Sequence, residues 1–68
     1  MASKYRFDDS YSNVYKYDSD SKTYNFLYSY YEVGIKSSMS EKKKISLTEK
    51  KEDKDYQIQL QEEAKHLY

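Results

Sequence analysis

The sequence predicts a small α+β fold: an antiparallel β-meander of about three strands over residues 4–33, with a C-terminal helix packed on one face. Three observations predict it. Eight of the ten tyrosines lie in the first 31 residues, and they alternate along the chain. The single glycine, Gly34, follows directly on that aromatic half. The closing segment "LQEEAKHL" is made of strong helix formers.

Each strand is justified by a period of two, because successive side chains on a strand point to opposite faces. In "YRF", Tyr5 and Phe7 share a side. In "YSNVYKY", Tyr11, Asn13, Tyr15 and Tyr17 share a face and Val14 lies opposite. In "TYNFLYSYY", alternation puts Tyr24, Phe26, Tyr28 and Tyr30 on one face, with Leu27 and Tyr31 on the other. Pairing the last two runs opposes Tyr15 and Tyr17 to Tyr24 and Phe26. Cross-strand aromatic pairs of this kind contribute roughly 0.2–1 kcal/mol each.

Between those runs lies Asp18-Ser19-Asp20-Ser21-Lys22, with carboxylates at alternate positions. A calcium loop of the EF-hand type needs oxygen ligands at positions 1, 3 and 5, glycine at 6 and glutamate at 12. Counted from Asp18, those later positions hold Lys22, Thr23 and Ser29. The flanks also read as strands, so the segment is a hairpin turn, where Asp and Ser bond to nearby backbone.

After Gly34 the sheet ends. Residues 36–54 read as a charged connector, with "KSSMSEKKK" as a loop or a single helical turn. The last third supports two readings. Ile45 and Leu47, then Tyr56, Ile58 and Leu60, alternate as a second hairpin would, which makes an all-β fold the alternative. Against this, Ser46-Leu47-Thr48-Glu49 matches a capping box, and Tyr56, Leu60, Ala64 and Leu67 form one stripe at helical spacing. Ile58 falls off that stripe. A helix over residues 55–68 is preferred.

The chain of 68 residues is read as one small domain, 1–68. A chain this short buries only about 60% of its unfolded surface and needs a staple or a partner. It has no cysteine and one histidine, so disulfides, thiolate sites and multi-histidine metal sites are excluded. Twelve basic and twelve acidic residues cancel, giving no global attraction to nucleic acid or membrane. No apolar run approaches the roughly 20 residues of a membrane span. The N-terminus "MASKYRFDDS" lacks a signal-peptide pattern, and Ala2 rules out N-myristoylation. The expectation is a cytoplasmic protein. Its richness in Lys, Tyr, Asn, Asp and Ser hints at an AT-rich coding sequence, as in a low-GC bacterium or its phages.

Catalysis is not expected. One glycine cannot build a phosphate loop, and no nucleophile motif is present. His66 reads as a surface histidine at a helix end. The carboxylate pairs Asp8-Asp9 and Glu62-Glu63 are sequence neighbours, which diverge on either a strand or a helix. No cofactor or metal is implied.

What remains is binding. Tyrosine suits interfaces because its ring is rigid and amphipathic. A sheet with tyrosines on both faces and one helix leaves some of them exposed. The expected protein-binding residues are Tyr24, Tyr28, Tyr30 and Tyr31, docking on an unknown host protein as a phage- or mobile-element-encoded modulator would. Replacing Tyr28 and Tyr30 with serine is the corresponding test. A second reading is a single-stranded nucleic-acid binder, stacking bases on Tyr15, Tyr17 and Tyr24 and holding phosphates with Lys42, Lys43 and Lys44. Interleaved Glu41, Glu49, Glu52, Asp53 and Asp55 weaken it, since a net-basic face is the usual footprint. A third reading is a structural homodimer.

Overall fold

The computed structural model describes residues 4–66, and side chains as far as Lys65. Strands β1 (Tyr5–Asp8), β2 (Asn13–Asp18) and β3 (Thr23–Ser29) are followed by a one-turn helix α1 (Tyr30–Val33) and a long helix α2 (Glu41–His66). The strands form an antiparallel sheet in the order β1-β2-β3. With α2 against one face, the fold is α+β.

The two hairpins use the same turn chemistry. Each strand ends in aspartate, and that carboxylate caps the following loop. Asp8 Oδ1 accepts from the N–H groups of Ser10 (3.0 Å) and Tyr11 (3.3 Å), and Asp18 Oδ1 accepts from that of Asp20 (3.0 Å). Asp18 also accepts from the Asn25 amide at 3.3 Å. The carboxylates of "DSDSK" thus serve a turn. Each loop closes on a residue with positive φ, Ser12 at 54° and Lys22 at 58°. Neither is glycine, so each carries the steric cost of the left-handed region. Lys22→Gly should therefore stabilise the domain by about 0.5–1 kcal/mol after the entropy cost of glycine. That corresponds to a rise in Tm of about 3–6 °C. An unchanged or lower Tm in a thermal melt followed by circular dichroism would mean that Lys22 bears no strain.

Register decides which rings meet the helix. Along β2 and β3, Tyr17 opposes Tyr24 and Tyr15 opposes Phe26, but Val14 opposes Tyr28. Leu27 is therefore an extra residue, a bulge that shifts the alternation by one. Before it, Tyr24 and Phe26 point to the open face. After it, Tyr28 points to the helix side, where Leu27 also packs on the core. The expected face of Tyr24, Phe26, Tyr28 and Tyr30 is thereby split in two. Tyr30 leaves the sheet altogether, because Ser29 starts α1. Ser29 Oγ accepts from the Glu32 N–H at 3.3 Å, and Glu32 Oε2 accepts from the Ser29 N–H at 3.2 Å. This is a capping box, and it turns Tyr30 into the core at 3% exposure. Gly34 ends the turn at φ 79°, a conformation suited to glycine at a helix C-cap.

Tyr5, Val14, Tyr30 and Ile35 are buried, with Phe7, Leu27, Val33, Ile45 and Leu47 packed around them. This apolar core is thin, and α2 is held to it largely by polar contacts. Three carboxylates each accept from one tyrosine hydroxyl and one lysine. Asp9 takes Tyr30 at 2.6 Å and Lys44 at 2.7 Å. Glu52 takes Tyr5 and, at 2.9 Å, Lys16. Asp55 takes Tyr28 at 2.5 Å and Lys51 at 3.2 Å. The Lys44 ammonium also lies over the rings of Tyr30 (5.3 Å) and Phe7 (5.9 Å). Thr48, wholly buried, donates its hydroxyl to the Lys44 carbonyl at 2.8 Å.

Helix α2 departs from expectation in two ways. It starts at residue 41, not near 55, so most of the segment 36–54 is helix, and no second hairpin forms. Its cap is Ser40, whose hydroxyl accepts from the Lys43 N–H at 3.3 Å. Ser46 to Glu49 lie inside it. Charged runs of Lys and Glu are good helix formers, and the inward face, Lys44, Thr48, Lys51, Glu52 and Asp55, recurs every three or four residues. Secondly, 26 residues at 1.5 Å each reach about 39 Å, whereas the seven of β3 reach about 23 Å. From Tyr56 to Lys65 the helix is exposed throughout. The stripe Tyr56, Leu60 and Ala64, expected to be packed on the sheet, is exposed, with Tyr56 beside Lys16 and Tyr28 at the rim of an open recess; Leu67 lies outside the described residues.

Candidate functional site

Among the described residues, no element covers the sheet's second face. It presents Arg6 from β1, Tyr15 and Tyr17 from β2, and Tyr24 and Phe26 from β3. Arg6 opposes Tyr15, which opposes Phe26, while Tyr17 opposes Tyr24 in the adjoining row. The rings interlock. Tyr15 meets Phe26 edge-on, with centroids 6.2 Å apart and planes at 79°, and Tyr17 meets Tyr24 at 5.3 Å and 50°. Both geometries are favourable for aromatic pairs. Asn13, on the same face, donates to the Tyr15 hydroxyl at 3.5 Å. The rings are pre-positioned by their neighbours yet still meet solvent: Phe26 is 59% exposed and Tyr17 39%.

Beside β1 the face dips into an open recess of about 410 Å³ lined by Arg6, Phe7, Asp8, Asp9, Tyr15 and Tyr24. Its walls mix a guanidinium, two carboxylates and three rings.

The expected site residues are distributed as follows. Tyr24 lies on the open face. Tyr28 lies on the opposite face, half-buried, bonded to Asp55. Tyr30 is buried and bonded to Asp9. Tyr31 is 95% exposed on α1. The bulge and the capping box thus take Tyr28 and Tyr30 off the face that carries Tyr24, so the four expected binding residues do not form one surface. The set proposed for nucleic acid is divided as well. Tyr15 and Tyr17 sit on the open face, while Lys42, Lys43 and Lys44 sit on α2 behind the sheet. Lys44 is buried between Asp9, Phe7 and Tyr30. Arg6 and Phe26 are the surface residues that sequence reasoning did not assign to a site. Phe26 was legible from its alternation with Tyr24, and Arg6 only from its register opposite Tyr15.

The titrating groups follow this division. Burial, then the hydrogen bond to Asp9, pushes the Tyr30 hydroxyl well up. Burial and Glu52 do the same to Tyr5, and burial and Asp55 push Tyr28 up to about 12. Lys44, then Tyr30, holds Asp9 below the ordinary carboxylate range, and Tyr28, then Lys51, does so for Asp55. Burial alone would raise Glu52, but the bonds from Tyr5 and Lys16 outweigh it and lower it. Among the described residues, the six shifted groups belong to the seam between the sheet and the helices, and of them only Asp9 also lines the recess beside the open face.

Among the described residues, no cluster of three or more His, Cys, Asp or Glu is arranged to hold a metal ion, and no helix is long and apolar enough to cross a membrane. The side chain of His66 lies outside the described residues. Comparison with protein-family models, with curated proteins and with solved structures returns no match to this chain.

Proposed function

We propose that the protein is a non-catalytic binding module that docks on a protein partner through the open face of its sheet, and modulates that partner by occupying it. The observation that supports this is the uncovered row Arg6, Tyr15, Phe26 with Tyr17 and Tyr24 beside it. Aromatic residues and arginine are the types that dominate protein interfaces, where they fill pockets on the partner and exclude water. Rings already fixed by their neighbours lose little entropy on binding. The reading of the chain as a modulator, of phage or mobile-element origin, rests on its small size and composition alone.

The test uses Tyr17→Ser and Phe26→Ser as baits beside the unchanged protein, with Tyr56→Ser on α2 as control. A partner retained by the unchanged protein and by the control should be lost from both open-face variants. Their circular dichroism should stay native, since cross-strand rings contribute only roughly 0.2–1 kcal/mol per pair. Equal capture by all four proteins would sink the reading. Binding of mixed single-stranded oligonucleotides, weakening steeply with salt, would move the same face to the nucleic-acid reading.

A further inference from the structure

The sheet has two edges, and they differ in character. The edge strand β1 is four residues long and carries Arg6 and Asp8. The edge strand β3 is seven residues long, and the run Thr23–Tyr31 around it contains no charged residue in a chain that is 35% charged. Edge strands of folded proteins are normally blunted by lysine, proline, an inward charge or a bulge, because their unpaired backbone groups template further pairing. Of these devices β3 has only the bulge at Leu27.

The backbone direction along β3 follows from one bond. Tyr17 donates its N–H to the Lys4 carbonyl, so its backbone faces β1. Alternation turns Tyr15 the same way. The pair Tyr15–Phe26 is therefore a non-hydrogen-bonded pair, consistent with the close approach of its rings. The N–H and C=O of Phe26 consequently point away from β2, out of the edge.

We propose that the β3 edge is a self-association site, where a second copy of this chain adds its own β3 antiparallel about a two-fold axis at Phe26. Phe26 N–H donates to the Phe26 C=O of the other copy, and the reverse bond forms by symmetry. The product is a six-stranded sheet. Its open face carries one continuous row: Arg6, Tyr15 and Phe26 of one copy, then Phe26, Tyr15 and Arg6 of the other. A second copy fits where a charged partner strand does not, because β3 offers no countercharge and no like charges meet across the seam. One short strand pair covers less than the roughly 800 Å² per partner of a standard interface, so the association is weak, in the micromolar range or above. This site does not depend on the docking function proposed for the open face.

The experiment is sedimentation equilibrium of the full chain from about 10 μM to 1 mM, beside a synthetic chain with N-methylphenylalanine at position 26 and the variants Asn25→Lys and Phe26→Ser. N-methylation removes one N–H and keeps the ring. The unchanged chain should show a monomer–dimer equilibrium. The N-methyl chain should dimerise at least about tenfold more weakly, having lost both symmetry-related bonds, with native circular dichroism. Asn25→Lys, a charge placed at the edge, should weaken it in the same direction. A wild-type chain that stays monomeric at 1 mM overturns the proposal. So does an N-methyl chain that dimerises undiminished. Loss of the dimer in Phe26→Ser alone would identify face-to-face ring stacking, and would likewise overturn the edge assignment.

Discussion

Tyr30→Ala should cost the fold about 3–5 kcal/mol, while Tyr31→Ala, one residue on, should be nearly silent. Tyr30 is 3% exposed and, among the described residues, one of four buried apolar side chains, whereas Tyr31 is 95% exposed. Truncating a buried aromatic to alanine costs about 3–5 kcal/mol. A chain of 68 residues has about 3–10 kcal/mol in total. The substitution removes more than packing, because Asp9 loses its 2.6 Å hydroxyl donor and Lys44 loses the ring beneath its ammonium. Tyr31 contacts nothing comparable, and an exposed substitution of this kind stays within about 0.5 kcal/mol. Amide NMR dispersion and far-ultraviolet circular dichroism separate the outcomes. A Tyr30→Ala protein with a dispersed spectrum and a Tm within a few degrees of the unchanged chain would mean that the core does not depend on this ring.

The second large effect is a stability plateau bounded on both sides by the three tyrosine–carboxylate–lysine sets. Asp9, Glu52 and Asp55 are depressed in the folded state. A depressed carboxylate favours folding above its unfolded value, about 3.9 for Asp and 4.3 for Glu, and that contribution is lost as pH falls through the folded value. Stability should therefore drop progressively below about pH 4.5. Tyr5, Tyr28 and Tyr30 are raised, Tyr28 to about 12. A raised tyrosine favours folding fully below its unfolded value near 10 and loses that contribution as pH climbs toward the folded one. The alkaline fall should begin above pH 10, with Tyr28 ionising as part of it. Thermal melts from pH 2 to pH 12 should show a flat top between about pH 5 and 9.5, and Tyr5→Phe should flatten the alkaline limb. A Tm that stays constant below pH 4 would show that the carboxylates contribute nothing to holding the helix.

The two effects share a cause: Ile45 and Leu47 are the only leucine or isoleucine of α2 packed on the core among the described residues, and charge-assisted hydrogen bonds do much of the rest of the docking. This is also why the helix was only half legible. A search for apolar residues at helical spacing finds Tyr56, Leu60 and Ala64, which are exposed. It passes over Lys44, Thr48, Lys51, Glu52 and Asp55, which face it. Those polar residues have helical spacing too, but polar periodicity reads as a solvated face unless partners are known. The partners, Tyr5, Lys16 and Tyr28 on the strands and Asp9 in a turn, lie between 27 and 47 residues away. Three Ser-x-x-Glu matches, at Ser29, Ser38 and Ser46, are likewise indistinguishable by pattern. The one at Ser29 caps a helix, and the one at Ser46 lies within a helix, because Ser40 had already started it.

By itself the sequence determined what local chemistry controls: three strands from the period-two aromatics, the hairpin turn at Asp18 to Lys22, a break at Gly34, and a helix-forming C-terminal segment. These depend on neighbours a few residues apart, so they can be read along the chain. Only the tertiary structure decided which tyrosines lie on the sheet's open face and which are buried against the helices. One bulged residue, Leu27, reverses the facing of everything after it. The helix then covers one face of the sheet and leaves Arg6, Tyr15, Tyr17, Tyr24 and Phe26 on the other. Facing depends on register, and register is set by long-range pairing and packing that no local pattern records.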